Sequence, residues 1–280
     1  MADPPPAGGA SLVVGASRGL GLAVSGGGGG REASAALADP DPASQLALAL
    51  AARGGGPVLA TVRGDVGPPE LAAAGVTVVP GVDAATYAGE AALAAALAAS
   101  GTPLTLLVYN AAHMHKENGL AAFDPGRAGE QVATNAFGFV RAARATRPFL
   151  ARGARVVLTS SKMGSIARAA AGAPGGAMLG YRMSKAAANA AAAALAADLR
   201  PAGVAVLAIH PGTIATDMYA YYHSAEGGGN SDAVKALVAN AGAATPADAA
   251  AAVLRVALEA DVSEGAPFVF RDEAGGVLPW

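Results

Sequence analysis

Seven short apolar runs rich in Val, Leu and Ile punctuate the chain: Ser11–Val14, Pro57–Val62, Val76–Val79, Leu104–Val108, Arg155–Leu158, Val204–Ile209 and Pro267–Phe270. Each has strand length and is bounded by Gly, Pro or charged residues. Between them lie helical stretches: Ser44–Leu50, Thr86–Ala99, Gly126–Ala151, the Ala-rich run Ala186–Leu199 and a last one ending at Glu259. Thr245-Pro246 opens that last helix as N-cap and first-turn residue, and Pro201 stops the one before it. Strand and helix alternate throughout. The pattern predicts an α/β fold in one doubly wound domain over 1–280, with a parallel sheet of about seven strands and helices on both faces. The sequence shows no second domain and no internal repeat. One stretch breaks the pattern. Gly26–Gly30 interrupts a helical start at Leu22-Ala-Val24, and Asp39-Pro-Asp-Pro42 prolongs the irregularity. Gly is about 1 kcal/mol worse than Ala per helical position. Residues 25–43 are therefore expected to be a flexible insertion in the first helix.

Composition narrows the function classes. Hydrophobic residues make up 53% and charged residues 14%, which supplies a core and argues against disorder. A net charge of −2 points to neither nucleic acid nor an anionic membrane. Cys is absent, so disulfides, thiol nucleophiles and Cys-ligated metals are excluded. No apolar run approaches the roughly 20 residues that span a bilayer, and Met1–Ala10 resembles neither a signal nor a transit peptide. The expectation is a soluble, cytoplasmic protein acting on a small molecule.

Candidate chemistry gathers where strands end, the carboxyl edge at which such sheets bind ligands. Val14 runs into Gly15-Ala16-Ser17-Arg18-Gly19-Leu20-Gly21. Strand, Gly-rich turn and helix start in this order suit a pyrophosphate at a helix N-terminus. Arg18 can reach a ribose phosphate. Arg63 ends the second strand, where an acidic residue would hold a free ribose 2′-hydroxyl. The two arginines favour a 2′-phosphate, hence NADP(H). Asp83 can accept from an adenine amino group, and Asn110 ends the fourth strand. Asn135 lies within the long helix, where a lone Asn is usually a tolerated polar residue. Tyr181 and Lys185 are four apart and share one helix face. An ammonium beside a phenol lowers its pKa from about 10, so Tyr181 is expected to exchange a proton near neutral pH. His113 and His115 form a His-x-His pair, but no third ligand has convincing spacing. They read as solvated loop histidines, and no metal is expected.

The Gly15 motif, Asn110, Asn135, Ser160-Ser161, Tyr181-x-x-x-Lys185 and Pro211-Gly212 together resemble the short-chain dehydrogenase/reductase family in order and rough spacing. The match covers about Ser11–Trp280. Ser160–Ile166, Tyr181–Asn189, His210-Pro-Gly and the terminal Leu-Pro-Trp280 further resemble its C-factor-like subgroup. The resemblance implies a Rossmann domain using NADP(H) to reduce a ketone or aldehyde of a small or medium apolar substrate. Tyr181 would be the general acid, and Lys185 would bind the nicotinamide ribose and depress the Tyr181 pKa. Ser161, with Ser160 as the alternative, would place the substrate carbonyl. Asn135 would hold a helix backbone open around a proton-relaying water. Gly15, Ser17, Arg18, Gly19, Leu20, Gly21, Arg63, Asp83 and Asn110 would surround the adenosine and phosphates, and Ile214 and Thr216 the nicotinamide amide and pyrophosphate. The family also implies a homodimer or homotetramer through the helix bearing Lys185.

The chain departs from the family pattern in three places. The common Asn-Asn-Ala-Gly reads Tyr109-Asn110-Ala111-Ala112, the 25–43 insertion splits the phosphate-turn helix, and a long segment with Pro174-Gly-Gly176 separates Ser161 from Tyr181. That segment is expected to border the substrate pocket, and Tyr219, Tyr221 and Tyr222 to form a wall of it. Two other readings stay open. One is a nucleotide-binding signalling or scaffold protein with little turnover. The other is a 3-oxoacyl-carrier-protein-type reductase; the enoyl-reductase branch has a longer Tyr-to-Lys spacing.

Overall fold

Alternate residues of the strands feed two different cores. Leu12 and Val14 face one side of the sheet and Val13 the other; Val156 and Leu158 oppose Val157, and Val206 and Ala208 oppose Leu207. This follows from the two-residue period of a strand buried on both faces. The computed structural model describes residues 8–16, 41–117, 119–172, 178–216, 242–262 and 268–280. Its strands are β1 (Ala10–Val14), β2 (Val58–Thr61), β3 (Thr77–Val79), β4 (Leu104–Tyr109), β5 (Leu150–Thr159), β6 (Ala205–Ile209) and β7 (Phe270–Arg271). They form one sheet in the order β3-β2-β1-β4-β5-β6-β7, every neighbouring pair parallel.

The helices are α1 (Pro42–Arg53), α2 (Pro69–Ala73), α3 (Tyr87–Ser100), α4 (Pro125–Val132), α5 (Gly138–Thr146), α6 (Ile166–Ala170), α7 (Leu179–Leu199) and α8 (Pro246–Glu259). Leu93 and Leu97 of α3, Phe139 of α5 and the small stripe Ala188, Ala192 and Ala196 of α7 cover one face. Leu46 and Leu50 of α1 and Val253 and Leu254 of α8 cover the other. The alanine stripe lets α7 lie close to the sheet, which brings its polar residues to the carboxyl edge. Among the described residues no helix is long and apolar enough to cross a membrane.

Three boundaries differ from the sequence expectation. α1 starts at Pro42, because the Asp41 carboxylate accepts from the amides of Ala43 and Ser44 and caps the helix. The expected insertion thus ends by Asp41, and residues 25–40 lie outside the described ones. The long helix is not continuous. A five-residue π-turn, Ala133–Phe137, joins α4 to α5, and a 3₁₀ turn at Arg147–Phe149 ends the run. β5 then begins at Leu150, pairing with Leu104, five residues before the apolar run at Arg155.

Candidate active site

β1 lies between β2 and β4, and the chain leaves β1 and β4 toward opposite edges of the sheet. That reversal opens a crevice at their carboxyl ends. Gly15 sits there with φ 101°. Its amide donates to Thr61 Oγ1 at 3.1 Å, and a Cβ at this position would fall 2.7 Å from Ala111 Cα. Only glycine fits this conformation and this approach. The amides of Asn110 and Ala111 both donate to the Val14 carbonyl, at 3.1 and 3.0 Å, which fixes the end of β4 against the turn. Arg63 is exposed beyond β2, and Asp83 is half-buried with Oδ1 accepting from the Ala85 amide at 2.9 Å. Ile214 pairs with Ala244 in an isolated bridge, and Thr216 follows it, half-buried. Ser17, Arg18, Gly19, Leu20 and Gly21 lie outside the described residues, as do Pro174–Gly176 and the tyrosines at 219, 221 and 222.

The second half of the edge is a buried cluster. Ser161 caps the 3₁₀ turn Lys162–Gly164, Oγ accepting from the Met163 amide at 3.2 Å, and it shares a hydrogen bond with the Tyr181 phenol. Its neighbour Ser160 turns away and donates to Asn189 Oδ1 on α7 at 2.5 Å. Lys185 Nζ donates to the Thr159 carbonyl at 2.9 Å and stands 5.8 Å from the centre of the Tyr181 ring. Burial pushes the Tyr181 phenol up to about 12, the Ser161 hydrogen bond opposing it, and holds the Lys185 ammonium down to about 8. The expectation that Lys185 lowers the phenol is therefore corrected. Desolvation outweighs other influences on Tyr181, and the ammonium is turned to a backbone carbonyl.

Asn135 occupies the π-turn. Its Oδ1 accepts from the His113 amide at 2.6 Å, and its Nδ2 donates to the His113 carbonyl and to Ser184 Oγ, both at 2.8 Å. A π-turn widens the helix by one residue and displaces backbone partners. The Tyr109 hydroxyl meets that displacement by donating to the Thr134 carbonyl at 2.5 Å. The aromatic residue that replaces the family's usual Asn thus supports the turn holding Asn135.

Sequence reasoning missed several supports. Glu117 is buried; its carbonyl accepts from the Met178 amide at 3.1 Å and its Oε2 from the Gly180 amide at 3.0 Å. It satisfies donors at the start of α7, where Met178 holds φ 70°. Gly164 lets the Ser161 turn touch α7, since a Cβ there would lie 2.7 Å from the Lys185 carbonyl carbon. The Ser165 hydroxyl donates to the Pro279 carbonyl and the Ala167 amide to that of Trp280, both at 2.6 Å, while the indole stacks on Phe268 and Phe270. The Leu278-Pro-Trp280 signature therefore clamps the segment after Ser161. His113 and His115 are half-buried rather than solvated, and the fold brings Glu130 to them.

These features fit a dinucleotide. Gly15 lets the backbone after β1 turn tightly against Ala111 at the carboxyl edge, and the buried Lys185 ammonium carries three donors, one of them given to the Thr159 carbonyl.

A family model described as enoyl-(acyl carrier protein) reductase matches residues 15–264. The 1-hydroxy-2-glutathionyl-2-methyl-3-butene dehydrogenase of Rhodococcus sp. (strain AD45) is 38% identical over 149 residues, 53% of this chain. The match spans 64% of that relative's length, less than two thirds. C-signal of Myxococcus xanthus is 39% identical over 118 residues, 41% of this chain and 69% of that protein. The NADPH-bound carbonyl reductase from chicken fatty liver superposes with a TM-score of 0.70 at 25% identity, covering 98% of this chain and 100% of that one. Carbonyl reductase Sniffer of D. melanogaster shares the fold with a TM-score of 0.72 at 21% identity, with coverage of 98% and 100%.

Proposed function

The chain belongs to the short-chain dehydrogenase/reductase family, and from that premise we propose that it is an NADPH-dependent reductase of ketones or aldehydes on small or medium apolar substrates. The observation that carries this reading is the buried Ser161–Tyr181 pair with Lys185 one helical turn on. When bound, the nicotinamide supplies the hydride. Tyr181 donates the proton to the carbonyl oxygen. A phenol pushed up to about 12 is protonated at neutral pH, which suits the acid of a reduction rather than the base of an oxidation. Ser161 Oγ orients the carbonyl beside that phenol. Lys185 holds the ribose hydroxyls through the donors not given to Thr159. Asn135 keeps the π-turn and the His113 loop in register with α7 through Ser184. Arg63 meets a 2′-phosphate, and the NADPH bound by the chicken enzyme supports that cofactor class.

The test is calorimetric titration with NADPH and NADH, followed by turnover on a panel of apolar ketones and aldehydes. NADPH binding much tighter than NADH with measurable reduction supports the reading. Absence of binding to either cofactor overturns it. The likeness to C-signal favours a second reading, a nucleotide-binding signalling protein. Cofactor binding with no turnover on any carbonyl of the panel would move that reading forward.

A further inference from the structure

We propose that His113, His115 and Glu130 form a binding site for one divalent transition-metal ion of the zinc class, at the loop following β4. One ligand atom from each residue lies within 4.8 Å of the other two. His115 Nε2 is 2.8 Å from Glu130 Oε2, and the two imidazole centres are 4.4 Å apart. A tetrahedral ion holding N and O donors at about 2.0–2.2 Å places them about 3.3 Å from one another. Small side-chain rotations close that gap.

The ligands are held in place by the fold. The His113 amide and carbonyl are both bound by the Asn135 side chain, at 2.6 and 2.8 Å. The His115 amide donates to Gln131 Oε1 at 3.1 Å, and Gln131 Nε2 donates back to the Arg127 carbonyl. Asn135 and Gln131 are both buried. They stand on the same helical run that supplies Glu130. Two backbone anchors thus seat both histidines on the helical run that carries the third ligand. An ion pair between His115 and Glu130 accounts for only one of the three contacts. It gives no reason for a second imidazole to stand beside the first, where two protonated rings would repel. A shared ion does.

The donor set chooses the metal. Two imidazoles and one carboxylate suit Zn²⁺ and its borderline neighbours rather than Mg²⁺ or Ca²⁺, which take oxygen ligands. Three protein ligands leave a fourth position for water or an exogenous donor.

The test uses the full chain after treatment with a chelator. ZnCl₂ is titrated by calorimetry, and CoCl₂ by visible absorption, which reports tetrahedral coordination. The expected result is saturable binding of one ion per chain, with Kd raised at least about tenfold in both His115→Ala and Glu130→Gln. Glu130 is exposed, so Glu130→Gln is expected to keep the fold, checked by circular dichroism. Absence of saturable binding overturns the proposal. So does an unchanged Kd in Glu130→Gln.

Discussion

The two halves of the carboxyl edge are built by different means. On the β5–α7 side, buried side chains tie separate segments together: Ser161 to Tyr181, Ser160 to Asn189, Lys185 to the Thr159 carbonyl, and Asn135 to the His113 backbone and Ser184. On the β1–β2 side, the described features are a side chain that Gly15 lacks, backbone amides converging on Val14 and an exposed Arg63. One half defines its geometry by contacts of buried side chains, the other by a close backbone approach that a missing side chain permits. Substitutions in the first should act on chemistry or folding, and substitutions in the second on cofactor affinity.

The sharpest test of that division is Tyr181→Phe. It removes one hydroxyl from a site whose shape it keeps. Turnover should fall by about 10²–10⁴-fold, the usual worth of a positioned general acid, while the NADPH affinity measured by calorimetry stays within about twofold. Equal losses in both would erase the distinction between the halves.

Burial as the governing influence on the β5–α7 side is tested by pH. His210, at the end of β6, is buried, and its pKa is held down to about 4, chiefly by desolvation, with Lys162 assisting and Asp272 opposing. Its folded pKa lies below the unfolded value near 6.5. The stability gained by keeping the ring neutral is therefore complete above 6.5 and is lost as pH falls through 4. Over that window the wild type should lose at most about 3 kcal/mol from this group. Denaturant titrations of His210→Asn should show a flatter slope there; an identical slope would remove the histidine from the account.

The β1–β2 half should answer to added volume. Gly15→Ala forces a Cβ against Ala111 at φ 101°. A strained position of this kind costs about 1–3 kcal/mol, and the displaced backbone should weaken NADPH at the same time. A variant that keeps both its melting temperature and its affinity would show that the turn has slack.

The same contrast governs what could be read from the sequence. The strands were legible because buried parallel strands are nearly continuous apolar runs, and Thr245-Pro246 was legible because its cap is local. Asp41-Pro42 is equally local but is masked by the Gly and Pro residues before it. The π-turn at Ala133–Phe137 has no Gly or Pro within it to mark it in the sequence. Glu117 carries no local signal because its partner amide is 63 residues away, and Glu130 reaches His115 across 15. Residue type announced Tyr181, Lys185 and Ser161. The residues that hold them in place are set by tertiary contact.

Arg63→Ala is the mildest of these changes and separates the halves most finely. Arg63 is exposed beyond β2, so its removal should leave the core and the Tyr181 cluster untouched. If it meets a 2′-phosphate, charge-assisted hydrogen bonds to that group are lost. The NADPH Kd should then rise about tenfold, about 1.4 kcal/mol, while the NADH Kd is unchanged because NADH carries no group for Arg63 to meet. Turnover at saturating NADPH should equal that of the wild type. A change in saturated turnover would mean that the edge transmits strain from the nucleotide half to the proton donor. An unaltered NADPH-to-NADH ratio would take Arg63 out of the phosphate site and leave cofactor choice to the turn that follows Gly15.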